Sequence, residues 1–323
     1  MAATNQPQAA YGWATAMGIN KEVTYGVAVA ANFFVSVVDD AMIYTNKILP
    51  RMGTRKTKGS TLGSLGLLEC KGSFEVECQP EEIGRLLSLG YGFETVTATA
   101  GVSGGWTHAI KAGSPLDTFT ISADYGKNSV HQWTGCKIDS IDITAKAGSI
   151  TTAKFAVIGA NDIILPTTSL SPTFGSLQPY DFGMTTTATI NGTQFPFDSM
   201  SISTKNSLLS YYGAGYGRVI RNINEKNAVT TGTLSVSYES DFIQNLVIAG
   251  TPSNIVFTFT HPVSGYALTI AMPNCILEEA ALAPKRNDVV MQNVKFSCYE
   301  SVNQAQDDVN FIVEDFNAAQ YVP

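Results

Sequence analysis

The sequence predicts an all-β protein, a sandwich or barrel with one short flanking helix in each of two tandem domains. Three observations carry this. Charged residues make up only 15% of the 323-residue chain, against 44% hydrophobic and 10% aromatic, and small polar residues fill the gap, which suits strands with polar outer faces. Short alternating segments recur with turns between them. A stretch of strand and helix occurs twice at a constant offset of 160 residues.

The repeat comes first. Residues 72–90 read GSFEVECQPEEIGRLLSLG and residues 232–250 read GTLSVSYESDFIQNLVIAG. Gly72/Gly232, Val76/Val236, Ile83/Ile243, Leu86/Leu246 and Gly90/Gly250 are identical. In each copy alternation predicts a half-buried strand. Pro80 in one, Ser240 with Asp241 in the other, then start a short helix. Ile83, Leu86 and Leu87 share one helical face, as do Ile243, Leu246 and Val247; Leu86, Ile243 and Leu246 are expected to be buried, and a glycine, Gly90 or Gly250, is expected to end each helix. Downstream, Cys136 precedes Lys154-Phe155 much as Cys275 precedes Lys295-Phe296. The expected organisation is an N-terminal arm (1–20), a first β domain (21–165), a linker rich in Pro, Ser and Thr (166–184), a second β domain (185–300) and a C-terminal arm (301–323).

The strands follow in order. Residues 68–78 alternate best: Leu68, Cys70, Gly72, Phe74, Val76 and Cys78 point one way, and Glu69, Lys71, Ser73, Glu75 and Glu77 the other. In the second copy Leu234, Val236 and Tyr238 oppose Thr233, Ser235, Ser237 and Glu239. Further strands are expected at 117–123, 136–145, 154–159, 198–204, 255–260, 265–272 and 294–300. Asp139-Ser140-Ile141-Asp142 breaks its alternation and suggests a bulge. Before its best strand each half holds a long, non-periodic, basic insert, at about 46–64 and 205–229; loops of that length inside a compact domain are usually functional.

Charge and motif content exclude several classes. The net charge is −7 with a pI near 5.0, unlike a sequence-reading DNA binder. Residues 1–160 are charge-balanced, so the whole acidic excess falls in 161–323. The N-terminus lacks the pattern of a secretory signal, and no run approaches the ~18 apolar residues of a membrane helix. Five cysteines without a CxxC read as small buried thiols of a reducing compartment. His108, His131 and His261 lie at no metal-ligand spacing. GAGYG at 213–217 follows no hydrophobic strand, and RMGTRKTKGS lacks GK[ST], so neither is a phosphate cradle. Asp39-Asp40 and Glu81-Glu82 read as solvated. No catalytic, cofactor or metal residues are expected, and the chain is not expected to be an enzyme.

The stretch 105–160, GWTHAIKAGSPLDTFTISADYGKNSVHQWTGCKIDSIDITAKAGSITTAKFAVIGA, resembles the tail tube proteins of tailed bacteriophages. The resemblance rests on the Thr-His segment leading into PLDTFTIS, on Gly-Cys-Lys-Ile-Asp at 135–139, and on the preceding strand–helix unit at 73–92; residues 192–300 are similar to the second half of the family's long members. It implies a virion structural protein, assembled in the host cytoplasm, whose sandwich domains pack into rings, joined through their inner sheets around a lumen and stacked into the tail tube. The implied partners are further copies of itself, the tape-measure protein, tail terminator and baseplate or tip proteins, and double-stranded DNA that passes without sequence recognition; no membrane is implied. Glu69, Lys71, Ser73, Glu75, Glu77, Thr233, Ser235, Ser237 and Glu239 would face the lumen, along an acidic wall that lets DNA slide. The inserts would reach the next ring through Arg51, Arg55, Lys56, Lys58, Tyr211, Tyr212, Arg218 and Arg221. The acidic C-terminal stretch, with Asp307, Asp308, Phe311, Ile312, Val313, Glu314, Asp315 and Phe316, would add contacts between rings or subunits. Two domains per chain suggest a trimeric ring with pseudo-sixfold symmetry, with a hexamer as the alternative. A soluble β-sandwich binding or adhesin module is the rival function; only three tryptophans, Trp13, Trp106 and Trp133, argue against it.

Overall fold

The computed structural model describes residues 12–51, 63–99, 104–127, 129–166, 169–181, 183, 186–284, 289–301 and 307–321. In the first half the strands are β1 (Ala16–Lys21), β2 (Phe33–Val35), β3 (Val37–Asp40), β4 (Ile43–Leu49) and β5 (Ser64–Glu77). Helix α1 (Ile83–Tyr91) follows, then β6 (Gly92–Ala98), β7 (Trp106–Ala112), β8 (Phe119–Asp124), β9 (Ser129–Lys146), β10 (Thr152–Gly159) and β11 (Asn161–Pro166). The second half holds β12 (Thr186–Ile190), β13 (Thr193–Gln194), β14 (Phe197–Lys205), β15 (Leu209–Tyr211), β16 (Asn222–Asn224) and β17 (Val229–Ser237). It ends with α2 (Phe242–Ala249), β18 (Ser253–Thr260), β19 (Ala267–Ala283), β20 (Met291–Cys298) and β21 (Asn310–Asp315).

The alternation does what period two requires. Phe74, Val76 and Cys78 are buried, as are Leu234 and Val236, while Tyr238 is half-buried. Phe74 stacks on Phe155 of β10 with ring centroids 5.4 Å apart. Two long strands, β9 and β19, carry the chain from one layer to the other. Their C-terminal halves belong to an inner sheet ordered β3/β4–β5–β10–β9–β14–β17–β20–β19. Their N-terminal halves belong to outer layers: β2–β1–β8–β9–β11 in the first half, and β13–β12–β18–β19–β21–β7–β6 in the second. One hydrophobic core runs through both halves.

The bulge anticipated at 139–142 is present. The β9–β10 register slips between Ala156 and Val157, leaving Asp139 without an opposite residue. A matching slip leaves Glu278 unopposed between β19 and β20. Cys136 and Cys275 sit in equivalent places: the thiol of Cys136 donates to the Trp133 carbonyl at 3.4 Å, that of Cys275 to the Met272 carbonyl at 3.6 Å. All five cysteines are free and buried.

Four expectations need correction. Gly250 ends α2 in the left-handed conformation, with φ 60°, but α1 continues through Gly90 and ends on Gly92, with φ 81°. Gly90 serves another purpose: a Cβ there would lie 2.5 Å from Ile141 Cδ1, so the glycine lets the helix lie close on β9. Leu246 is half-buried against the core rather than inside it. Glu82 is buried, not solvated, because its carboxylate accepts the Ser36 N–H at 2.9 Å and the Gly175 N–H at 3.4 Å; burial pushes its carboxyl up, against those donors. The C-terminal stretch is not held out for neighbours. β21 lies between β19 and β7, with Phe311 and Val313 buried, and answers in the second half to β11 in the first.

Polar side chains lock that last strand in place. Buried His108 faces Glu94 Oε1 through Nδ1 at 2.6 Å and Asp315 Oδ1 through Nε2 at 3.1 Å, and it stacks on Tyr321 at 3.9 Å. Tyr321 Oη donates to Asp315 at 2.6 Å. The segment between the halves is also packed: the Leu177 N–H donates to Glu81 at 3.1 Å, and buried Tyr180 donates its N–H to the Cys78 carbonyl at 2.8 Å.

Candidate functional site: the polar face of the inner sheet

The inner sheet has one face in the core and one face of small polar and charged side chains. On that polar face the structure gathers Lys71, Ser73 and Glu75 of β5, Ala156 and Lys154 of β10, Ser140, Asp142, Thr144 and Lys146 of β9, and Ser199, Ser201 and Ser203 of β14. Thr231, Thr233, Ser235 and Ser237 of β17 continue it, then Asn293, Lys295 and Ser297 of β20 and Glu279 and Ala281 of β19. The face therefore crosses from one half of the chain to the other without a break. Its joint is the β9–β14 ladder, from Ser199 opposite Lys146 to Lys205 opposite Ser140.

The eight strand residues singled out from the alternation, Glu69 to Glu77 and Thr233 to Ser237, fall on this face, all exposed or half-buried; Glu239 is exposed just beyond β17. Sequence reading missed β9, β10, β14 and β20 as contributors, although the same alternation runs through them. The face is mixed in charge rather than uniformly acidic. Lys71 lies 3.5 Å from Glu69, which also takes a hydrogen bond from Lys47 that holds its carboxyl low. Lys295 bonds Glu279 at 2.6 Å, which pushes the ammonium up. Lys154 sits opposite both Glu75 and Asp142 in the ladders.

A second set of groups pins the joint from behind. Asn206, just past β14, is buried; its backbone N–H donates to the Asp139 carbonyl at 2.7 Å, and its amide Nδ2 donates to the carbonyls of Gly90 and Ile138 at 2.9 Å each. Asp139 Oδ1 accepts the Leu208 N–H at 2.7 Å. A chain of hydrogen bonds runs from the hydroxyl of buried Tyr91 to those of buried Thr204 (2.6 Å) and Thr230 (2.9 Å) and on to the carboxylate of half-buried Asp308 (2.7 Å), crossing between the halves.

The inserts behave unequally. Arg55, Lys56 and Lys58 lie outside the described residues; Arg51 is exposed. The second insert folds back on the first half. Tyr212 Oη donates to the Leu68 carbonyl at 3.0 Å, Arg218 Nε donates to the Gly66 carbonyl at 2.5 Å, and the guanidinium also reaches Asn46. Arg221 covers the Tyr216 ring at 4.4 Å, and Tyr211 is exposed. Among the described residues no cluster of His, Cys, Asp and Glu could hold a metal ion, and no helix is long and apolar enough to cross a membrane.

The described residues thus form an all-β protein whose two halves share one uninterrupted sheet with a polar face. The family model described as phage tail tube protein matches residues 12–298, and the chain belongs to that family. It is accordingly a structural, self-assembling component of the virion tail. No curated protein matches it.

Proposed function

We propose that this protein closes into trimeric rings with pseudo-sixfold symmetry, that the rings stack into the tail tube, and that the polar face of the inner sheet lines the conduit for DNA ejection. The single observation that carries the reading is the β9–β14 ladder. It places both halves side by side in one sheet, so both present their polar faces to one side. A hexamer with one half decorating the outside would have no use for that joint.

The chemistry of the face supports a conduit. DNA carries one negative charge per ~1.7 Å of axis, and a lysine-lined wall would retain it through released counterions. Here lysines are offset by Glu69, Glu75, Asp142 and Glu279, and serines and threonines fill the rest, so the surface is wetted without holding phosphate. The proposed partners are the tape-measure, terminator and baseplate or tip proteins, with assembly in the host cytoplasm. Of the insert residues singled out above, the exposed ones, Arg51, Tyr211 and Arg221, are the candidates for contacts with the next ring; Tyr212 and Arg218 hydrogen-bond within the chain. Electron microscopy of the purified protein tests the reading. Rings or tubes are expected, and monodisperse globules at all concentrations would favour the binding module.

A further inference from the structure

The two halves repeat each other closely enough to show which residues meet when one copy joins the next. Strand β14 pairs with β17 through a bulge between Phe197 and Ser199. The strand edge formed by β3 and β4 pairs with β5 through a bulge between Val37 and Asp39, at the same offset of 160. On the other side of the joint, the Asp139 bulge of β9 answers to the Glu278 bulge of β19, 139 residues on (275 less 136 for the cysteines gives the same offset). Both strands of the internal joint thus have a counterpart, with its bulge, at the outer margins of the sheet.

The internal joint is filled and the margins are open. Ile202 sits opposite Ile143 and Thr204 opposite Ile141; all four are buried, at 1–2% exposure. Their counterparts are Met42 with Leu282, and Tyr44 with Ala280. Met42 and Ala280 only flank the core, Leu282 is 41% exposed and Tyr44 38% exposed. Ile43 beside them is 60% exposed. Among the described residues, β3 and β4 pair only with β5, and the end of β19 beyond residue 277 pairs only with β20. Two open strand edges with apolar side chains are surfaces that invite another chain.

We propose that these two margins bind each other between copies in the register of the internal joint, and that Asn46 sets that register by occupying the Glu278 bulge. This rests on the ring reading above. Ala41 then lies opposite Ala283 of the second copy, Ile43 opposite Ala281, and Thr45 opposite Glu279, antiparallel. Asn46 is the counterpart of Asn206. Its amide would donate to the Leu277 and Gly250 carbonyls of the neighbour, as Asn206 does to Ile138 and Gly90. In the single chain Asn46 is exposed and touched by Arg218. A bulge is a one-residue landmark in an otherwise uniform ladder, and a side chain keyed to it prevents a two-residue slip.

Cysteine pairs read the register directly. Ile43→Cys with Ala281→Cys should give, on mild oxidation of assembled protein, a covalent species of three chains in denaturing gels. Ile43→Cys with Ala283→Cys should not, because diagonal neighbours stand roughly 7–8 Å apart, too far for a disulfide. Asn46→Ala should leave the monomer folded by circular dichroism and raise the concentration needed for assembly at least roughly fivefold, the cost of carbonyls left without a donor. Rings in the parent protein with crosslinking only in the shifted pair, or in neither, would overturn the register. Rings whose assembly ignores Asn46→Ala would overturn its role. A parent protein that forms no rings would overturn the ring reading, and this inference with it.

Discussion

Replacing His108 with glutamine should flatten the dependence of stability on pH. The imidazole is fully buried, so the loss of solvation disfavours its charge, but hydrogen bonds to Asp315 and Glu94 outweigh that and push its pKa up to about 9. An unfolded histidine titrates near 6.5. A group whose folded pKa is raised stabilises the fold fully below its unfolded value, and the contribution drains away as pH rises through the folded value. At about 1.4 kcal/mol per pH unit, the interval from 6.5 to about 9 corresponds to about 3 kcal/mol, present at pH 6 and gone by pH 10. With an unfolding entropy of roughly 2 cal/mol/K per residue, that is a fall in Tm of roughly 5 °C attributable to this one group. The assay is differential scanning calorimetry of both proteins from pH 6 to 10. His108→Gln should be less stable than the parent at pH 6, and the gap should close towards pH 10. A gap that stays constant or widens over that range would refute the charged state of His108.

Three further outcomes follow from burial and hydrogen bonding. Leu86→Ala, at a fully buried site, should cost ~2–5 kcal/mol in denaturant unfolding, while Leu246→Ala, half-buried on α2, should cost about 1–2 kcal/mol; equal losses would mean that the two helices are packed alike. Asn206→Ala strands the Gly90 and Ile138 carbonyls behind the joint and should lower monomer stability by about 1–3 kcal/mol; an unchanged unfolding midpoint would show that this amide does not hold the halves together. Deletion of residues 310–323 removes β21 from between β19 and β7 and should yield misfolded or proteolysed chain; a soluble truncated protein with parental Tm would return that segment to the role of a free arm.

Much of the fold was legible because period-two alternation and a long repeat are local signals. Residues 68–78 and the Asp139 bulge could be read directly, and so could the helix beginning near Ile83. The end of that helix could not: Gly90 and Gly92 are both plausible stops, and only the closeness of Ile141 assigns the first to packing. Residues 310–315 carry an equally clear alternation, Phe311 and Val313 inward and Ile312 and Glu314 outward. Their acidic neighbourhood suggested an exposed tail because the partners that neutralise it, His108 and Tyr321 around Asp315 and Lys111 beside Asp307 at 3.3 Å, come together only on folding. The polar face was half legible. Alternation fixed which side of β5 and β17 is polar, but it could not say that β9 and β14 join the two halves into one surface, since pairing partners 53 to 65 residues apart leave no local mark. The charge of that surface was misread for a similar reason: net charge belongs to the whole chain, whereas Lys71, Lys154 and Lys295 share the face with their acidic neighbours.

The most direct measurement is a cryo-EM reconstruction of the assembled tube. It should show three chains per ring, with both halves of every chain around the channel, Ser73, Asp142, Ser201 and Thr233 facing its axis, and one β9–β14 joint alternating with one joint between chains. Six chains per ring, with either half displaced to the outside of the tube, would contradict the account.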